Sequence, residues 1–272
     1  MMKRKNSNYL FYLFILLLLI MSGCSSNDKV SEPEEQKQQA VEEEVELTVS
    51  AAASLQNALN EIKEKYTKEH PNVKINYNFG ASGALQQQIS QGAPVDLFLS
   101  AAEDKFDLLV DQGLIDKKKC IDLVGNEIVV VVPKEATLGI KTFKDLTKAE
   151  KISIGTPESV PAGKYAKETL EKLDVWPVVE GKVVYAKDVR QVLTYVETNN
   201  VDAGIVYKTD AFISDKVEIV ATADKDSHSP IIYPLGVIKN SSHAKEAQQF
   251  YEYLHSETSI NILEKYGFKK LN

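Results

Sequence analysis

The sequence predicts an α/β protein of two lobes, each a parallel or mixed sheet covered by helices, with the chain crossing between them twice. Three observations lead there. Short apolar or alternating runs of strand length interleave with stretches whose apolar residues recur at helical spacing. A strongly β-forming segment, Ile128 to Pro133, follows a break at Gly125-Asn126 and opens a second series of the same kind. A late apolar stretch, Ile231 to Ile238, offers a place to cross back, so that a helix from Ala247 to Leu254 completes the first lobe. Two crossings between two lobes create a cleft and a hinge, where small ligands commonly bind.

The N-terminus is built for export. Lys3, Arg4 and Lys5 precede the apolar run Leu10 to Ile20 and then Met21-Ser-Gly-Cys24. That core is about 11 residues long, against the roughly 20 a spanning helix needs, so residues 1–23 read as a signal peptide. Small residues directly before a cysteine resemble the lipobox of bacterial lipoproteins, although Met21 stands where Leu is usual. The resemblance implies cleavage before Cys24, lipid on its thiol, and a place on the extracytoplasmic face of the cell membrane. Residues 24–46 are polar, acidic and free of aromatics, and read as a disordered tether.

In the first lobe, Leu47 to Ala51 forms a short apolar strand. Leu55, Ala58, Leu59, Ile62 and Tyr66 then follow helical spacing until His70-Pro71 stops the helix. Val73 to Phe79 alternates with period two. Leu85 and Ile89 mark a short helix, Asp96 to Ala101 a buried strand, and Phe106, Leu109 and Val110 another helix. The second lobe repeats the theme with a strand at Ile152 to Gly155, a helix from about Gly163 to Leu173, and a strand at Val183 to Tyr185. A helix from Val189 to about Val196 and a strand at Ala203 to Tyr207 follow. The boundaries expected are 47–126 plus 233–272 for the first lobe and 127–232 for the second, hinged near Gly125 and Tyr233.

Composition excludes several functions. The formal charge is −7 and no basic stripe is present, so nucleic acid is not expected as a partner. With Cys24 lipidated, the second of the two cysteines, Cys120, has no partner for a disulfide or a thiolate metal site.

The chemistry is carried by junctions where a strand hands over to a helix. Ser54 lies in one, within Leu47-Thr-Val-Ser-Ala-Ala-Ala-Ser54-Leu, and Ser82 in another, within Phe79-Gly-Ala-Ser82. A helix start exposes unpaired N–H groups at the positive end of its dipole, and a serine adds a hydroxyl, which makes an anion half-site. Taken singly, either serine could be an ordinary N-cap. The second lobe offers matching junctions at Val160-Pro-Ala162-Gly163 and at Lys187-Asp188-Val189-Arg190, with Asp188 as the candidate cap. Tyr207 ends an apolar strand and can project a phenolic donor. Lys164, Lys187 and Arg190 read as solvated or structural charges.

These segments resemble the molybdate-binding proteins of bacterial molybdate ABC importers, which have the type II periplasmic-binding-protein fold with mixed sheets. The resemblance rests on Ala51-Ala-Ala-Ser54-Leu, Phe79-Gly-Ala-Ser82, Gly92 to Ala101, Val160 to Ala166, Asp188-Val-Arg190, Gly204-Ile-Val-Tyr207 and Tyr266-Gly-Phe268, over nearly all of Leu47 to Phe268. It implies that Ser54 and Ser82 bind oxyanion oxygens through hydroxyl and N–H, Ala162 and Val189 through N–H, and Tyr207 through its hydroxyl. It also implies a monomer that is not an enzyme, holds molybdate or tungstate without protein–metal bonds, needs no cofactor, and delivers its cargo to a membrane permease with an ATPase. Gly83 departs from the family, where Ser or Thr is frequent.

Other readings remain open on residues alone. The same fold could serve sulfate, phosphate, iron or an organic acid, although an iron binder would want clustered Tyr and His rather than the lone Tyr207. A serine hydrolase is the remote alternative: Gly80-Ala-Ser82-Gly83 is not G-x-S-x-G, and His70, His228, His243 and His255 offer no evident partner.

Overall fold

A computed structural model describes residues 44–271. The signal peptide, Cys24 and the tether up to residue 43 lie outside the described residues. Ten strands form two five-stranded mixed sheets with matching layouts. The first has the order β2-β1-β3-β10-β4, from Val73–Gly80, Val45–Ala52, Leu97–Leu99, Ile232–Ile238 and Ile115–Gly125. The second has the order β7-β6-β8-β5-β9, from Val183–Ala186, Ile152–Gly155, Ala203–Tyr207, Ile128–Pro133 and Val217–Thr222. In each, three strands pair parallel and the fourth, β10 or β5, runs antiparallel to both of its neighbours. The chain leaves the first sheet between Gly125 and Ile128 and returns between Thr222 and Ile232.

β1 begins at Val45, so the last two residues read as tether belong to the fold. Val45 N–H donates to Asn72 O at 2.9 Å, and Glu46 lies beside Lys74 in the parallel register with β2. A 3-10 turn at Ala53–Leu55 leads into helix α1, Gln56–Glu69, which buries Ala58, Leu59, Ile62 and Tyr66. Burial pushes the Tyr66 phenol up to about 12. α2, Ser82–Ser90, and α3, Glu103–Asp111, cover the first sheet, and α8, Ala244–Leu254, and α9, Glu257–Lys265, return to it. Lys269 and Gly125 exchange backbone hydrogen bonds at 2.7 and 2.9 Å, which pins the C-terminal end to the first crossing.

The second sheet is covered by α4, Pro161–Lys172, by the short α5, Trp176–Val179, by α6, Val189–Glu197, and by α7, Lys208–Phe212. β5 is apolar without alternation, and Ile128 to Val131 are fully buried because both faces of its sheet are covered. α6 has the clearest stripe, burying Val189, Val192, Leu193 and Val196.

Candidate oxyanion site between the lobes

The parallel strands of both sheets end toward one another, and the helices that follow them start there. α2 begins just after β2, α4 after β6, α6 after β7, and the 3-10 turn before α1 after β1. Around their first turns lies a narrow, tightly closed pocket lined by Ala53, Ser54, Ser82, Ala101, Ala162, Val189 and Tyr207 among others. All five candidate binding residues therefore meet at one place. Each is at most 4% exposed, so a ligand there would be almost fully withdrawn from bulk water.

Small residues make this approach possible. A Cβ on Gly163 would lie 1.9 Å from Gly155 O, so only glycine lets the first turn of α4 sit on the end of β6. Pro161 at the first helical position costs no hydrogen bond, because that N–H would be an orphan. Ser82 and Val189 stand at the first position of their helices and Ala162 at the second, where an N–H has no intrahelical acceptor. These donors form the positive ends of the helix dipoles, which favour an anion.

Neither serine is a cap. The N-cap before α2 is Ala81, the residue before the 3-10 turn is Ala52, and neither junction has a side-chain cap bond. Ser82 Oγ instead accepts from Ala101 N–H at 2.9 Å, and Ser54 Oγ lies 2.9 Å from Tyr233 Oη. Asp188 is the cap expected for α6: its Oδ1 accepts from Gln191 N–H at 2.9 Å, which occupies the carboxylate and leaves Val189 N–H available.

Tyr207 Oη approaches Ala101 O at 3.5 Å and Tyr165 Oη the same oxygen at 3.4 Å, too long for strong O–H···O bonds. Burial holds the Tyr207 phenol well above its usual range, so it remains a protonated donor rather than a phenolate that would repel an anion. Tyr207 is not the lone tyrosine expected. Its ring centroid lies 5.8 Å from that of Tyr233, and Tyr165 shares its acceptor. Neither Tyr165 nor Tyr233 lines the cavity.

Arg190 and Lys164, two of the charges near the site, are paired within the protein. Arg190 Nε lies 2.7 Å from Asp210 Oδ1, and its Nη2 donates to Ser54 O across the cleft at 3.3 Å. Burial raises the Asp210 carboxyl to about 6, against the lowering effect of Arg190. Lys164 reaches Asp104 of the opposite lobe at 3.4 Å. The histidines are engaged elsewhere: His70 stacks on Tyr66, His228 tilts against Tyr165, His243 lies 3.6 Å from Asp96, and His255 Nδ1 lies 2.8 Å from Tyr251 O.

Sequence reasoning missed Asp210, Tyr165 and the side-chain roles of Asn126 and Tyr233, which were read only as crossing positions. No local period signals them, because their partners are distant in sequence. Arg190 beside an apolar stripe was the one available hint.

A family model for bacterial extracellular solute-binding proteins matches residues 47–269. Escherichia coli molybdate-binding protein ModA is 40% identical over 84% of this chain and 91% of its own length. The chain belongs to the ModA-like family of bacterial extracellular solute-binding proteins. Another ModA-like relative is YvgL of Bacillus subtilis, which bears the name of an ABC transporter substrate-binding lipoprotein; it is 58% identical over 91% of this chain and 92% of its own length. Among solved structures, a Clostridium difficile substrate-binding domain named for a molybdenum ABC transporter is 45% identical with a TM-score of 0.65, covering 84% of this chain and all of that one. The Azotobacter vinelandii periplasmic molybdate-binding protein shares the fold at a TM-score of 0.74 and 19% identity, covering 83% of this chain and all of that one. As a ModA-like protein, the chain is a solute-binding component of the kind that serves ABC importers, and the two-lobed periplasmic-binding-protein architecture expected from its sequence is the one it has.

Proposed function

We propose that this protein captures molybdate, and with it the near-isosteric tungstate, between its lobes and hands it to a membrane permease driven by a cytoplasmic ATPase. The single observation that carries this reading is a buried pocket that brings Ser54, Ser82, Ala162, Val189 and Tyr207 together with no carboxylate among its lining residues. Ser54 and Ser82 each supply a hydroxyl and an N–H, Ala162 and Val189 an N–H, and Tyr207 a phenol. Molybdate is a fully ionised dianion that accepts from every side and has no proton to give, so a lining without carboxylates suits it. Hydrogen bonds to a charged acceptor contribute about 1.5–3 kcal/mol each, so this set supplies on the order of 10–20 kcal/mol before rigid-body and desolvation costs. That is enough for tight binding without Lys or Arg touching the ligand. The molybdenum itself would be held through its oxygens and make no bond to the protein.

Sulfate is the competing ligand with the same charge and shape. Its bonds to oxygen are shorter, so donors spaced for the larger tetrahedron would be left undersatisfied. Phosphate carries a proton near neutral pH and would find no acceptor for it. Thermal unfolding in the presence of each oxyanion separates these cases, because a ligand bound only by the folded state stabilises by RT ln(1 + [L]/Kd). Molybdate and tungstate are expected to raise Tm by several degrees at 1 mM while sulfate and phosphate leave it within a degree. A larger shift with sulfate or phosphate would overturn the choice of ligand.

Gly83 enters through closure. Its N–H donates to Ser159 O on the opposite lobe at 2.9 Å, and a Cβ there would meet that oxygen at 2.8 Å and Ser159 Cα at 2.9 Å. Gly83→Val is therefore expected to hold the lobes apart and weaken molybdate binding about tenfold, the effect of roughly 1–3 kcal/mol of overpacking. Titration calorimetry checks it, and wild-type affinity would contradict it.

The export signal and the cysteine at its end support attachment through lipid on Cys24, as the name of YvgL indicates for that relative. Labelling cells with a fatty-acid probe and comparing Cys24→Ala with the wild type tests it; label retained by the variant would refute it.

A further inference from the structure

Ser54 can serve an anion only if its hydroxyl proton points into the cavity, and that direction is set by a chain of hydrogen bonds behind it. Glu127 N–H donates to Asn126 Oδ1 at 2.9 Å, which fixes the amide so that its NH₂ faces the other way. That NH₂ donates to Thr209 Oγ1 at 2.9 Å and to Tyr233 Oη at 3.1 Å. Tyr233 Oη thus accepts from Asn126; of the two hydroxyls left beside it, Ser54 Oγ lies close, at 2.9 Å, while Tyr207 keeps its own proton and turns it toward Ala101 O, so Ser54 Oγ is the acceptor at hand. Tyr233 must donate there. Ser54 Oγ receives that proton, and its own proton is left for the cavity.

We propose that Tyr233, supported by Asn126, is a positioning residue that turns the Ser54 hydroxyl into an obligate donor toward the bound oxyanion. The inference rests on the molybdate reading above and deepens it. Three features make the chain more than incidental packing. It is buried, with no member more than 8% exposed, so bulk water competes little for its members. It runs in one direction, from amide to phenol to hydroxyl to ligand. Its two supporting residues come from the two crossings: Asn126 lies between β4 and β5, and Tyr233 is the second residue of β10. Hinge geometry and the readiness of Ser54 to donate are therefore joined through side chains. Burial keeps the Tyr233 phenol far above its usual range, so the chain does not break by losing that proton. Ser82 reaches the same donor-only state independently, since its Oγ accepts from Ala101 N–H.

A double-mutant cycle tests this with sodium molybdate as the titrant and full-length folded domain as the receptor. Tyr233→Phe keeps the ring that packs against Tyr207 and Phe268 and removes only the hydroxyl. It is expected to weaken molybdate binding about tenfold, the effect of one such hydrogen bond. If Tyr233 acts through Ser54, Ser54→Ala/Tyr233→Phe should bind no more weakly than Ser54→Ala alone, whereas the losses from Ser82→Ala and Tyr233→Phe should multiply. Losses that multiply in the Ser54 cycle, or unchanged affinity in Tyr233→Phe, would overturn the positioning role while leaving the ligand reading intact. A flat wild-type isotherm would overturn the ligand reading itself and the proposal with it. Should Tyr233→Phe not fold, the same cycle with Asn126→Ala decides, with a loss of about threefold expected only when Ser54 is present.

Discussion

Replacing Ser54 and Ser82 together by alanine is expected to weaken molybdate binding by about 10²–10⁴-fold while leaving a folded, two-lobed protein. Each substitution removes one hydroxyl donor to a charged acceptor, worth roughly 1.5–3 kcal/mol. The backbone N–H groups remain, which is why binding should be weakened rather than abolished. Each change also leaves a buried group without its hydrogen-bond partner: Ala101 N–H loses Ser82 Oγ, and Tyr233 Oη loses Ser54 Oγ. Tm should therefore fall by a few degrees even without ligand. Calorimetry for affinity and a thermal scan for stability check the two parts separately. Unchanged affinity in a folded double variant would refute the site.

The second large effect concerns Arg190 and Asp210. Arg190→Leu is expected to lower stability by about 3–5 kcal/mol at pH 7.5, because it strands a fully buried carboxylate. The loss should shrink toward pH 5. In the folded protein Asp210 holds its proton up to about pH 6, and in the unfolded chain only to about its ordinary value of 3.8. Between those values the folded state binds more protons, so the contribution of this group to stability falls as pH rises through the window and is fully present only below it. At pH 5 the stranded carboxyl is largely neutral and costs little, and the wild-type pair has lost much of its attraction. The gap in Tm between variant and wild type should accordingly be widest above pH 7. A gap of equal size at pH 5 and 7.5 would show that the loss comes from packing of the arginine stem. Affinity should fall as well, because Arg190 Nη2 holds the carbonyl of Ser54 from the opposite lobe.

Much of the fold is legible in the order of residues because most elements have one buried face. The β5 run, the α6 stripe and the helix stop at His70-Pro71 each announce themselves within a few residues. β4 does not. It is an edge strand with Lys117, Lys118 and Lys119 in its middle, the kind of charge that protects an edge and hides its period. β9, an edge strand of the second sheet, is hidden for a different reason: after Val217 its residues are only partly buried or exposed, so no alternating face marks it. α9 was passed over although Ser256 caps it at Ser259 N–H.

The candidate site was legible in composition but not in wiring. Serines near helix starts suggest caps, since capping is what such serines usually do. Here the capping positions are held by alanine, and each hydroxyl is hydrogen-bonded to a group far away in sequence, Ser82 to Ala101 N–H and Ser54 to Tyr233 Oη. A pairing over that separation has no local signature. The same is true of Asp210 as the partner of Arg190.

The most direct measurement is a crystal structure of the protein grown with excess molybdate, with anomalous scattering recorded at an energy that reveals molybdenum. The account predicts one strong peak in the cavity between the lobes, its oxygens within hydrogen-bond distance of the Ser54 and Ser82 hydroxyls, the N–H groups of Ala162 and Val189, and Tyr207 Oη. An empty cavity, or molybdenum bonded directly to side-chain atoms, would contradict it.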